Sequence, residues 1–250
     1  MSSTMQEIEA LADGLDIAKV VELVRIAETA ERYEDMCVFV KKLVKLKAAK
    51  GEDLDVDERN LLSVAYKNVV GQARSSWRTL NAGFDDCDQE LIDKYRAIIE
   101  DSLEKICLEI IALLTENLCK TVAGNGDETE VFYLKMCGDY YRYMSEFKED
   151  QKYKDSAEEN YKKAMDVAEK NLNETHPTRL GLALNFSVCY YEILKQPEKA
   201  CDLAKKSFDA AIEKLDTLND ASYKDSTLIM QLLRDNLTLW TSSDGDDNQE

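Results

Sequence analysis

The sequence predicts an all-α protein on three observations. Only 2 Pro and 9 Gly occur in 250 residues, too few turn residues for a β-rich fold and few enough to let long helices run. Apolar residues recur at helical spacing, as in Val20, Leu23, Val24 and Ala27, which places one buried stripe along a helix. The breaks between such segments are short and polar. With 44% hydrophobic and 33% charged residues, the chain can bury a core and keep a solvated surface.

Taken in order, residues 1–13 read as an acidic leader with partial helical character, 14–240 as one helical domain, and 241–250 as a disordered acidic tail. After the Val20 stripe, a helix is expected over about 34–48, ended by Lys50-Gly51-Glu52-Asp53. Asp55 or Asp57 then caps a helix reaching about Leu80, stopped by Asn81-Ala82-Gly83. A long helix over about 88–122 carries Leu91, Tyr95, Ile98, Ile99 and Leu103 on its inner side, before a turn at Gly124-Asn125-Gly126-Asp127. Helices over about 128–147 and 155–172 form the next pair. Thr175-His176-Pro177 starts another, with Pro177 where its missing N–H costs little and His176 as a loop or cap residue. Gln196-Pro197-Glu198 and Asn219-Asp220 separate the last three, which end at Trp240. The sum is about nine antiparallel helices. Paired helices also suit a tetratricopeptide-like scaffold binding unphosphorylated peptides, but no repeat of about 34 residues with that motif's pattern recurs.

A formal net charge of −18 opposes binding to nucleic acid or an anionic membrane, so any anionic partner must be held by local cations. No apolar run approaches the ~20 residues that span a bilayer, and the first residues lack the apolar core of a signal peptide. A cytoplasmic or nuclear protein is expected. Seven scattered cysteines without a CxxC pair, and His176 as the single histidine, predict reduced thiols and no metal site. No Walker lysine loop, GxSxG or HExxH is found, so neither an enzyme nor a cofactor is expected.

Candidate binding residues come from interrupted helix faces. Lys67 and Arg74 stand seven positions apart, on one face two turns apart, with Arg78 one turn further; the same line also reads as a solvated face. Arg142 lies among tyrosines in Asp139-Tyr140-Tyr141-Arg142-Tyr143, with Lys135 seven positions upstream. A rigidly held arginine makes paired hydrogen bonds to phosphate oxygens, and Tyr143 adds a hydroxyl; an internal pair with Asp139 is compatible with that. Asn185 and Asn236 interrupt apolar faces, where a carboxamide suits either an internal partner or the backbone of an extended peptide.

Several segments carry a resemblance: Glu58-Arg59-Asn60-Leu61-Leu62-Ser63-Val64-Ala65-Tyr66-Lys67-Asn68-Val69-Val70-Gly71 with Arg74-Ser75-Ser76-Trp77-Arg78, and Ala30-Glu31-Arg32-Tyr33-Glu34-Asp35-Met36. Stretches 131–143, 176–194 and 223–240 extend it in order along nearly the whole chain. They resemble the 14-3-3 family. The resemblance implies a helical domain with a concave amphipathic groove, acting as an adaptor for phosphoserine/phosphothreonine clients. It assigns the phosphate to Lys67, Arg74, Arg142 and Tyr143, and the peptide to Asn185 and Asn236 with Lys135 and Glu192 beside them. The groove wall would be Ser63, Val64, Leu184, Val188, Leu232, Leu239 and Trp240.

The same likeness implies a homodimer or heterodimer with Ala30, Arg32, Asp35, Ser76, Tyr95 and Ile98 at the interface. Relatives commonly carry a base at the position of Ile98 and an acid at that of Ser102, so cross-dimer ion pairs are missing here. Ser76 matches a position phosphorylated in some relatives, where a phosphate would oppose association. The leader before Gly14 is longer than in many relatives.

Overall fold

The computed structural model describes residues 3–84, 86–217 and 220–246, with side chains over 5–84, 86–216 and 222–242. Among these, every regular element is a helix. The helices pack as two compact units, Met1–Val122 and Ala123–Glu250. The division falls at the turn where Gly124 and Gly126 adopt positive φ of 82° and 69°, open to glycine at little steric cost.

The N-terminal unit comprises α1 (Ser3–Leu11), α2 (Ile17–Thr29), α3 (Tyr33–Ala49), α4 (Val56–Ala82), α5 (Gln89–Leu113), a π-helical turn (Leu114–Leu118) and α6 (Cys119–Val122). The C-terminal unit comprises α7 (Glu128–Met144), α8 (Gln151–Asn171), α9 (Pro177–Val188), a second π-helical turn (Cys189–Ile193), α10 (Pro197–Glu213), a 3₁₀ turn (Leu215–Thr217) and α11 (Asp220–Asp246). Because α5, the first π-turn and α6 run on without a break, the described residues form ten helical rods; the leader helix α1 is the one beyond the nine expected.

Aspartates set most of the starts. Asp16, Asp55, Asp88, Asp127 and Asp150 each accept a first-turn backbone N–H, and His176 does so through Nδ1 at 3.2 Å. The Asp150 cap explains why α8 begins four residues before the expected 155. At Asp55 the cap is reciprocal: its Oδ1 accepts from the Glu58 N–H at 2.8 Å, and Glu58 Oε2 accepts from the Asp55 N–H at 2.9 Å. Glu58 also pairs with Lys47 of α3 at 2.7 Å. α11 runs six residues past the expected stop at Trp240, where the Thr241 and Ser242 hydroxyls donate back to Leu237 and Thr238 carbonyls and let the helical backbone continue. Residue 219 of the expected break and residues 247–250 of the expected tail lie outside the described residues.

The core follows the helical period. In the N-terminal unit Val20, Val24, Met36, Val40, Leu43, Leu62, Tyr66, Leu103 and Ile110 are buried. On α5 Leu103 is buried as expected, together with Ile92, Cys107 and Ile110, and Ile99 is half-buried, whereas Leu91, Tyr95 and Ile98, expected on the same side, are 65%, 56% and 64% exposed. An apolar residue on this helix therefore does not identify its buried side, because α5 carries apolar residues on two faces. In the C-terminal unit, α7, α8, α9, α10 and α11 close on Val131, Tyr161, Leu180, Phe186, Ala200, Met230 and Leu233. No helix among the described residues is long and apolar enough to cross a membrane.

Candidate functional site

The polar centre of the C-terminal unit is built on Asp139 of α7. Its Oδ2 accepts from Lys135 Nζ at 2.9 Å, one turn back on the same helix. Its Oδ1 accepts from Asn185 Nδ2 of α9 at 2.8 Å and from the Tyr161 hydroxyl of α8 at 2.6 Å. Tyr161 in turn accepts from Arg142 Nε at 3.0 Å. Three helices thus bring Lys135, Asp139, Arg142, Tyr161 and Asn185 into one network.

Two cations to one carboxylate leave this buried cluster with an excess positive charge. Burial by itself would raise the Asp139 carboxyl, but the Lys135 ammonium and the Arg142 guanidinium hold it below its ordinary range. Burial pushes the Tyr161 hydroxyl well up, so it stays protonated and can donate. Arg142 keeps 7% exposure, and its guanidinium sits 4.7 Å from the centroid of the Tyr143 ring. The nearest approach of its Nη2 to Asp139 Oδ1 is 3.6 Å: an ion pair too long for a hydrogen bond.

Small details of packing make room for this. Gly138 lies against the Tyr161 ring so closely that a Cβ would come within 2.7 Å of Cδ1. Phe186 of α9 stacks on Tyr161 at 5.3 Å and on Tyr190 at 4.4 Å. The π-turn after α9 presents Tyr191 to Trp240 of α11, ring centroids 4.7 Å apart and 12° from parallel, and leaves Glu192 exposed.

Among the other expected residues of this unit, Leu184, Val188, Tyr143 and Asn236 are half-buried, and Leu232 and Leu239 are exposed together with Leu228 along α11. Trp240 is buried, its ring stacked on Tyr191. Sequence reasoning missed Tyr161 as a polar partner. The one local signal was the glycine preceding Asp139, a gap in an otherwise large-residue helix.

Lys67, Arg74, Ser63 and Val64 belong to the N-terminal unit, all on α4. Leu62, Ala65, Tyr66 and Val70 are buried, and the Tyr66 hydroxyl donates to Glu109 of α5 at 2.8 Å, with Lys41 of α3 on the other oxygen at 2.8 Å. Fixing Tyr66 inward turns Lys67 outward: Lys67 is exposed, and Arg74, Ser63 and Val64 are half-buried. Of the expected interface residues, Ala30, Arg32, Ser76, Tyr95 and Ile98 are exposed. Asp35 is buried and accepts from Arg32 Nε at 2.8 Å, one turn away on the same chain.

Comparison with known proteins bears directly on this arrangement. The 14-3-3 protein family profile matches residues 23–241. The chain is 55% identical over 241 residues to the 14-3-3-like protein GF14 phi of Arabidopsis thaliana, covering 92% of this chain and 88% of that protein. It is 53% identical to the 14-3-3-like protein GF14-E of Oryza sativa subsp. japonica (92% and 90% covered) and 53% identical to the 14-3-3 protein homolog 2 of Echinococcus granulosus (91% and 92% covered).

The chain belongs to the 14-3-3 family. As a 14-3-3 protein it is a regulatory adaptor that binds client proteins, in a family known for non-enzymatic adaptors. The all-helical architecture is that of the 14-3-3 fold.

Proposed function

We propose that this 14-3-3 protein binds phosphoserine or phosphothreonine segments of its clients and thereby alters their localisation, activity or assembly. The observation that carries the reading is the Asp139 network: a buried guanidinium and an ammonium share one carboxylate, beside an asparagine whose carbonyl oxygen is left to accept from a peptide. A phosphate carries about −1.5 to −2 charges at pH 7. Acidic residues beyond a Debye length of ~8 Å are largely screened, so cations that touch the phosphate outweigh the distant surface charge.

Lys67 and Arg74, which the family likeness assigns to the same phosphate, are the second set of cations in this reading. Charge-assisted hydrogen bonds contribute about 1.5–3 kcal/mol each, so removing the phosphate weakens binding by about a hundredfold. Asn185, Asn236, Lys135 and Glu192 hold the peptide, and the exposed leucines of α11 pack on its apolar side chains. The protein acts in the cytoplasm or nucleus as a dimer, which presents two sites to one client and raises the effective concentration.

The test is fluorescence anisotropy with one Arg- and Ser-containing peptide, phosphorylated and not, on the wild type and on Lys67→Glu. Strong preference for the phosphorylated form, largely lost in Lys67→Glu, is expected. Equal affinity for both forms in the wild type would sink the proposal and favour a scaffold for unmodified peptides. A double-mutant cycle between Lys67 and Arg142 adds a second check: two groups on one phosphate give non-additive losses.

A further inference from the structure

We propose that Tyr161 is a positioning residue for phosphate recognition, acting as a hydroxyl spacer that keeps Arg142 from being consumed by Asp139. The inference rests on the proposed phosphate-binding function and adds a residue to it. Tyr161 is fully buried, and its hydroxyl stands between Arg142 Nε (3.0 Å) and Asp139 Oδ1 (2.6 Å).

With that oxygen in place, Arg142 commits only its Nε inward, and its Nη2 stops 3.6 Å from the carboxylate. The Asp139 oxygen that faces the guanidinium is already filled: Oδ1 accepts from Tyr161 and Asn185, while Lys135 holds Oδ2. A guanidinium offers five donors in a rigid fork. Holding one of them turns the plane and leaves the Nη groups for two oxygens of an incoming phosphate. The ring itself cannot drift, being stacked on Phe186 and wedged over Gly138, the one residue type that admits it there.

Removing the hydroxyl alone leaves Arg142 Nε and Asp139 Oδ1 each short of a partner inside a buried site. The closest remedy is for the two to meet directly, which makes a neutral pair and withdraws the cation from the ligand. A residue that only filled space would give no such selective effect, since Phe keeps the ring.

The experiment compares wild type and Tyr161→Phe, full-length, for binding of a synthetic peptide with Arg and one phosphoserine and of its unphosphorylated twin. The expected result is about a tenfold loss of affinity for the phosphopeptide, with the weak binding of the twin unchanged. A Tyr161→Phe protein that binds the phosphopeptide as tightly as wild type overturns the spacer role and leaves phosphate recognition standing. A wild type that fails to distinguish the two peptides overturns both readings at once. If Tyr161→Phe melts too early to assay, side-chain ¹⁵N NMR of the wild type decides. Slow solvent exchange at the Arg142 Nε–H supports the spacer; exchange at the rate of a solvent-exposed arginine overturns it.

Discussion

At the scale of single residues, the two titrations that matter are well separated. The Asp139 carboxyl is raised by burial but lowered further by Lys135 and Arg142, so its folded-state value lies below the unfolded one. Its contribution to stability is therefore complete above the ordinary carboxylate range near ~4 and is lost as pH falls through the lower folded value. A phosphate group, by contrast, loses its second charge below about pH 6. Phosphopeptide affinity is expected to fall between about pH 6 and 5 while circular dichroism stays native; loss of both signals together would contradict the assignment. Gly138→Ala tests the packing beneath. Its Cβ would meet a fully buried ring at 2.7 Å, and overpacking of this kind costs about 1–3 kcal/mol, read as a lower urea midpoint.

The residues that touch the ligand in the proposed reading were legible because motif likeness singles them out one by one: Arg142 among its tyrosines, Lys67 after an inward-facing Tyr66. Tyr161 was not. It reaches Arg142 from a separate helix, nineteen positions away, and nothing in a single sequence says which tyrosine of α8 turns toward Asp139.

At the scale of elements, the starts were more readable than the faces. An aspartate cap is a local chemical signal, and Asp55 and Asp127 mark their helices in the sequence itself; Asp150 was passed over because charged neighbours mask it. Replacing Asp55 with Ala removes the reciprocal cap of α4, the helix that carries Lys67 and Arg74. A loss of about 1 kcal/mol is expected in equilibrium unfolding, with phosphopeptide affinity almost unchanged under conditions where the protein stays folded. The inner face of α5 was misread because Leu91, Tyr95 and Ile98 also repeat at helical spacing. Both stripes are apolar, and only packing against α3 and α4 chooses between them. The leader helix was likewise uncertain, because nine residues with few apolar anchors hold together through tertiary contact more than propensity.

At the scale of the whole molecule, the proposed dimer would set apolar attraction against charge repulsion. Each chain carries −18, while Leu91, Tyr95 and Ile98 stand exposed and Asp35 is engaged by Arg32 Nε within the chain. A dimer formed through this face would be held by apolar burial and opposed by like charge. Raising salt screens the repulsion, so the dimer is expected to tighten between about 0.05 and 0.5 M salt in sedimentation equilibrium. Weakening over that range would point to ionic contacts instead. Ile98→Glu is expected to shift the mass toward monomer, and Ser76→Glu to do the same if the surface near Trp77 is covered on association; light scattering at low concentration reads both.

The thiols offer a practical handle on that equilibrium. Cys37, Cys107, Cys137 and Cys189 are buried, burial pushing the Cys189 thiol up to about 12, and Cys119 and Cys201 are partly covered. Cys87 is exposed one residue before the Asp88 cap of α5. A brief maleimide reaction near neutral pH should therefore place a fluorophore at Cys87 first, and its emission would report what approaches the Leu91 end of that helix without any engineered cysteine.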